Sequence, residues 1–94
     1  MSEIISVTKA VNCDMRNKIE MTECVHTALG RFLQGDWGDI DPYDREINNS
    51  EQKERDGLIL GKYTTVNGDI YITRIFDEPS VGADVVTVMY CDEY

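Results

Sequence analysis

Three cysteines and one histidine, Cys13, Cys24, Cys91 and His26, carry the most distinctive chemistry in this 94-residue chain. Together they make a Cys₃His set, the soft-donor combination that holds structural Zn²⁺ in a tetrahedron. Their spacing does not nucleate such a site. No CxxC pair is present, and at about 100° per residue Cys24 and His26 stand roughly 200° apart on a continuous helix. Zinc is expected only if the fold supplies the convergence. Cys13 follows the first strand-like segment and Cys91 ends the last, so parallel neighbouring strands would bring those two together. The alternative is three reduced cysteines packed as small hydrophobes, with His26 on a helix flank. The same residues offer the only Cys–His pairing for nucleophilic catalysis, Cys24 or Cys13 with His26, which would need hydrogen-bond contact and an orienting third group. None of the 18 acidic residues is marked out as a hydrolytic pair. No phosphate-cradling glycine loop or nucleotide fingerprint is present. A thiol enzyme is the third-ranked reading, behind two that act by binding.

The stretch "LQGDWGDIDPYDREIN", residues 33 to 48, concentrates a second set of candidates. Asp36, Asp39, Asp41 and Asp44 surround Trp37. Their spacing lacks the alternating ligands, central glycine and terminal glutamate of a calcium-binding loop, so caps and turns account for them better. Trp37 has two readings. It folds back over the last turn of the preceding helix as core, or it stands out as an anchor for a partner, since tryptophan is enriched among residues that dominate interfaces.

Charge narrows the partner. Nine Lys and Arg stand against 18 Asp and Glu, a net charge of −9, and the excess is confined to two segments. Residues 36 to 56 hold eight acids and three bases, and residues 77 to 94 hold five acids and no base. Such segments repel nucleic-acid phosphates and attract basic protein surfaces at long range. Candidate contact residues are Asp36, Trp37, Asp39, Asp41, Tyr43 and Asp44 in the first segment, and Tyr90, Asp92, Glu93 and Tyr94 in the second. Apolar runs fall well short of the roughly 20 residues a membrane span requires. The N-terminus lacks the basic region, apolar stretch and cleavage site of a signal peptide, so a cytoplasmic location with reduced thiols is expected.

The elements that must position these residues can be read from periodicity and turn chemistry. Ile4 to Val11 is β-branched and alternating, which predicts a strand. From Lys18 to Gln34 the apolar positions Met21, Val25, Ala28, Leu29, Phe32 and Leu33 define one helix face, with Gly35 suited to end it. Asp41 as N-cap and Pro42 at the first position predict a second helix that fades by Asp56 and Gly57. Residues 58 to 66 and 69 to 76 alternate around Asn67-Gly68, a hairpin signal. Residues 77 to 84 read as a loop, and 85 to 91 as a core-facing strand. The expected architecture is one α+β domain, two helices on an antiparallel sheet of three to four strands.

The quoted motifs carry a resemblance. "ALGRFLQGDWGDI", Asn48 and Asn49 near the end of an acidic helix, "GLILGKY", "GDIYIT" and the terminal "TVMYCDEY" resemble a family of small plasmid- and phage-associated bacterial proteins of largely unassigned function. The chain departs from that pattern at Phe32, where the family has His, in the longer "RIFDEPSVGADV" loop, and at Cys91 in place of Pro. The resemblance implies a counter-defence role in a bacterial host cell, similar to anti-CRISPR proteins, in which acidic surfaces occlude a basic surface on a CRISPR effector nuclease. The second reading is a structural or regulatory protein-binding domain stabilised by zinc.

Overall fold

A computed structural model describes residues 3–94. The elements run β1 (Glu3–Val7), α1 (Lys9–Asn17), α2 (Ile19–Leu33), α3 (Pro42–Glu54), β2 (Leu58–Thr65), β3 (Gly68–Glu78) and β4 (Ala83–Tyr90), with a final 3₁₀ turn over Cys91–Glu93. The α+β class is as expected, but there are three helices rather than two. The strand expected through Val11 stops at Val7 because Thr8 caps a helix there, its hydroxyl accepting from the Val11 N–H at 3.4 Å. Val11 and Met15, four residues apart, turn towards the core from α1. At Lys18 the backbone is extended (φ −146°), which separates α1 from α2 without a glycine or proline.

The sheet order is β1-β4-β3-β2. β2, β3 and β4 form the expected antiparallel meander, whereas β1 pairs with β4 in parallel, so the sheet is mixed rather than wholly antiparallel. The parallel pair follows from the helices between β1 and β2, which return the chain across one face. The hairpin turn is displaced by one residue. Thr65 pairs with Gly68, leaving Val66 and Asn67 at the bend, and the Thr65 hydroxyl both donates to the Gly68 carbonyl and accepts from the Asn67 N–H. The expected 77–84 loop shortens to a tight turn, because β3 continues past an irregularity at Ile75/Glu78 to pair Glu78 with Ala83.

The core lies between the helices and one sheet face. Val11, Met21, Val25, Ala28 and Phe32 meet Ile59, Tyr63, Ile70, Ile72, Val86 and Val88. Trp37 joins them at 2% exposure, its ring edge-on to Phe32 with centroids 5.3 Å apart. The α2 terminus makes this return possible: Gly35 is left-handed (φ +85°), and the Gly35 and Asp36 N–H groups bond back to the Phe32 and Arg31 carbonyls. Trp37 Nε1 donates to Asn49 Oδ1 at 2.9 Å, so its polar atom is satisfied.

The outer edge of β2 is closed by the same segment. The Lys62 N–H donates to the Trp37 carbonyl at 3.0 Å, and the Lys62 carbonyl accepts from the Asp39 N–H at 2.8 Å. Gly38 lies against that edge, where a Cβ would come within 2.0 Å of the Lys62 carbonyl oxygen. Two residues along, the buried Asn48 of α3 donates to the Leu60 carbonyl at 2.8 Å and accepts from the Leu60 N–H at 3.4 Å. A side-chain amide thus substitutes for a neighbouring strand.

A buried charge network joins the start of β1 to the β3–β4 turn. Asp84, 2% exposed, accepts from Arg55 at 2.9 and 3.1 Å and from the Asp77 N–H at 3.0 Å. Arg74 pairs with Glu3, stands 4.0 Å from Asp84 through Nε, and lies near the rings of Phe32 and Phe76. Burial alone would raise the Asp84 carboxyl. The Asp77 N–H, Arg55 and Arg74 outweigh burial and hold it below its ordinary value.

Trp37→Ala should destabilise the fold by about 3 to 5 kcal/mol, and Asn48→Ala by about 1 to 3 kcal/mol through the uncovered Leu60 backbone, both measurable by chemical denaturation. For Asp84 the depressed folded pKa means that its contribution is present above about pH 4 and is lost as pH falls from there through the folded value. Asp84→Asn should therefore cost roughly 3 to 5 kcal/mol near neutral pH. The gap between variant and parent in urea midpoint should close as the pH is lowered towards 2.

Candidate functional site

Strand alternation gives the sheet a second face, away from the helices. Register aligns its side chains in rows. Ile4 of β1, Val85 of β4, Ile75 of β3 and Leu58 of β2 are direct neighbours across all four strands. Ile4, Ile75 and Leu58 are 43%, 41% and 40% exposed, so nothing in the described fold covers this row. The next row is Ser6, Thr87, Thr73 and Leu60, and the third is Met89, Tyr71 and Lys62. Tyr94 packs edge-on against Tyr71 with centroids 5.4 Å apart, bringing the chain terminus to this face. At the β2 side, Ile40, Asp44, Ile47 and Asn48 form with Leu58 and Leu60 a groove of about 250 Å³.

The acidic segments border this face. The loop before α3 and its first turn hold Asp39, Asp41, Tyr43 and Asp44 exposed beside β2. Asp77 and Glu78 flank the β3–β4 turn, and Asp92, Glu93 and Tyr94 close the opposite end of the strands. Several of these carboxylates also serve the fold. Asp41 caps α3 by accepting from the Asp44 N–H at 2.9 Å. Glu93 accepts from the Tyr90 N–H and the Thr8 hydroxyl. Asp36 bonds Arg31 at 2.8 Å and accepts from the Gly38 N–H, contacts that lower its carboxyl pKa. Of the two readings of Trp37 the structure takes the core one, because the left-handed Gly35 folds it inward, so it is not available as an anchor. Tyr90 hydrogen-bonds Asp14, and burial together with that carboxylate pushes its hydroxyl up to about 12.

The Cys₃His residues are not gathered. Cys13 is exposed on α1, beside Lys9, Asn12, Arg16 and Asn17. Cys24 is half-buried in a groove between α2 and β2 that Tyr63 also lines. Cys91 lines a third hollow with Asp14, Asp69 and Asp92. His26 is exposed on α2. Among the described residues, no group of three or more His, Cys, Asp or Glu is placed to hold a metal ion. β1 and β4 are indeed parallel neighbours, but the turn into α1 at Thr8 carries Cys13 onto a helix before it can approach Cys91.

Comparison with known proteins finds no matching family model, curated protein or solved structure. The residues that carry the sequence resemblance have fold roles: the GDWG segment and Asn48 close the β2 edge, and Asn49 satisfies Trp37. The open row was missed in the sequence, although a signal was present. "DIYITRIF" and "VVTVMY" are apolar at both parities, as in strands covered on both faces. Arg74 at a core-facing position likewise called for a buried acid.

Thiol reactivity tests the separate cysteine environments. Iodoacetamide at about pH 8 should modify exposed Cys13 first and Cys91 last, because burial pushes the Cys91 thiol up. Mass spectrometry of timed digests should resolve the order, and urea should level the rates.

Proposed function

We propose that this chain is a protein-binding inhibitor that covers a Lys- and Arg-rich surface of a nucleic-acid-handling protein, in keeping with a counter-defence role against a bacterial effector nuclease of the CRISPR type. One observation carries the reading. The two segments that hold the excess acids, 36 to 56 and 77 to 94, both reach the rim of the uncovered row, through Asp44 in the groove beside Leu58 and through Asp77 and Glu78 beyond Ile75. A basic groove that normally holds phosphates meets there a surface of opposite sign, and the encounter is accelerated by long-range attraction. Nucleic acid itself is disfavoured as the ligand, because its phosphates would face the acidic border. No helix among the described residues is long and apolar enough to cross a membrane.

Inhibition by occlusion must compete with nucleic acid. With an RNA-guided nuclease as target, inhibition should be strong when this protein is added before the target DNA and weak when DNA is bound first. Inhibition independent of the order of addition would overturn occlusion. Replacing Asp39, Asp41 and Asp44 together by Asn should slow association by roughly tenfold at low salt and flatten its salt dependence, with a smaller change in dissociation. Stopped-flow association across a range of salt concentrations reads both effects.

A further inference from the structure

We infer that the open sheet face, along the row Ile4, Val85, Ile75 and Leu58 and onward to Ile47, seats one amphipathic, basic α-helix of the partner protein. The inference rests on the inhibitor reading and deepens it by naming what the partner inserts.

Size and shape favour a helix. The row crosses four strands, about 14 Å at the usual strand spacing, which matches roughly three turns of helix. The α3 wall then adds Ile40 and Ile47 beside Leu58 and Leu60, so the row ends in a groove rather than on a flat edge. A helix lying along the row would present apolar residues at i, i+3, i+4 and i+7.

Charge selects the sign of its flanks. Asp44 lines the groove. Asp56 precedes Leu58, and Asp77 and Glu78 follow Ile75, so acids stand along one side of the row. Glu3 and Asp84 lie on that side too, but they turn inward to Arg74 and Arg55. Among the strand residues facing outward, Lys62 is the only cation; it lies two rows away, 3.7 Å from Asp69. Arg55 stands 3.7 Å from Asp77 at the end of the row, so lysines or arginines flanking an apolar stripe would meet chiefly Asp44, Asp56 and Glu78. A second copy of this chain, net charge −9, would bring acids against acids.

The test uses isotope-labelled protein and three 18-residue peptides: a Leu–Lys amphipathic helix, a Leu–Glu helix with the same apolar face, and a Lys–Gly peptide of the same charge. The Leu–Lys helix should shift the amide signals of Ile4, Val85, Ile75, Leu58 and Ile47. Ile75→Ser should weaken its binding about tenfold while the melting transition stays cooperative, since Ile75 is 41% exposed and outside the core. Leu58→Ser provides a second reading if the first variant melts early. Shifts confined to 36–46 and 91–94 with both basic peptides would overturn the inference while leaving electrostatic capture intact. Equal binding of the Leu–Glu helix would also overturn it, because the face would then not select charge. Failure of both basic peptides would remove the inhibitor reading as well. Free protein that sediments as a dimer and is dispersed by Ile75→Ser would assign the face to a second copy, against the inference.

Discussion

Leu60 and Lys62 of β2 turn their backbone N–H and C=O groups away from β3, and leaving such groups uncovered makes a sheet edge both costly and prone to pairing with other chains. The whole GDWG turn is organised around that requirement. Trp37 and Asp39 bond Lys62 through the backbone, and Asn48 bonds Leu60 through its amide. Because the Trp37 carbonyl must reach Lys62 while its ring reaches Phe32, the end of α2, the start of α3 and β2 are fixed together. The close approach at Gly38 leaves no room for a side chain. This single edge accounts for a tryptophan, a glycine and two asparagines.

Closing the edge has a functional corollary. With β2 capped and one sheet face filled by helices, the second sheet face keeps one apolar cross-strand row uncovered, beside the more polar row of Ser6, Thr87 and Thr73. Isolated exposed apolar residues are common, but a cross-strand row bordered by carboxylates is a combination that protein-binding surfaces use, with apolar contact at the centre and charge at the rim. Contact gives such a surface affinity, whereas its border governs the rate and choice of partner.

The Arg74–Asp84 network holds the other end of the sheet. A buried ion pair adds little net stability over an apolar pair, but either partner alone is strongly unfavourable. Its effect here is therefore register as much as strength: Glu3 meets Arg74, and Glu3 is the β1 residue opposite Asp84. A one-residue slip of β1 would separate Glu3 from Arg74 and reverse which side chains enter the outer row.

Local signals were legible. The face of α2, its Gly35 end, the Asp41–Pro42 start of α3, the hairpin and the confinement of charge to two segments follow from interactions between residues a few positions apart, which composition and spacing encode directly. The α1 helix was missed because its break from α2 at Lys18 involves no glycine or proline and its short apolar pattern overlaps the end of a β-branched run. Long-range partners were another matter. That Asn48 would cap Leu60, that β1 would join β4 and that Arg74 would find Glu3 depended on register and packing between elements far apart in the chain, whereas the fold-back of Trp37 onto the α2 end was one of two readings open from the sequence. The cysteines separated for the same reason: α1, α2 and the end of β4 point them into three different hollows. Apart from α1, the sequence by itself determined the elements and the sign of the surface. Only the tertiary structure decided which strand face stays open, because that follows from where the helices dock.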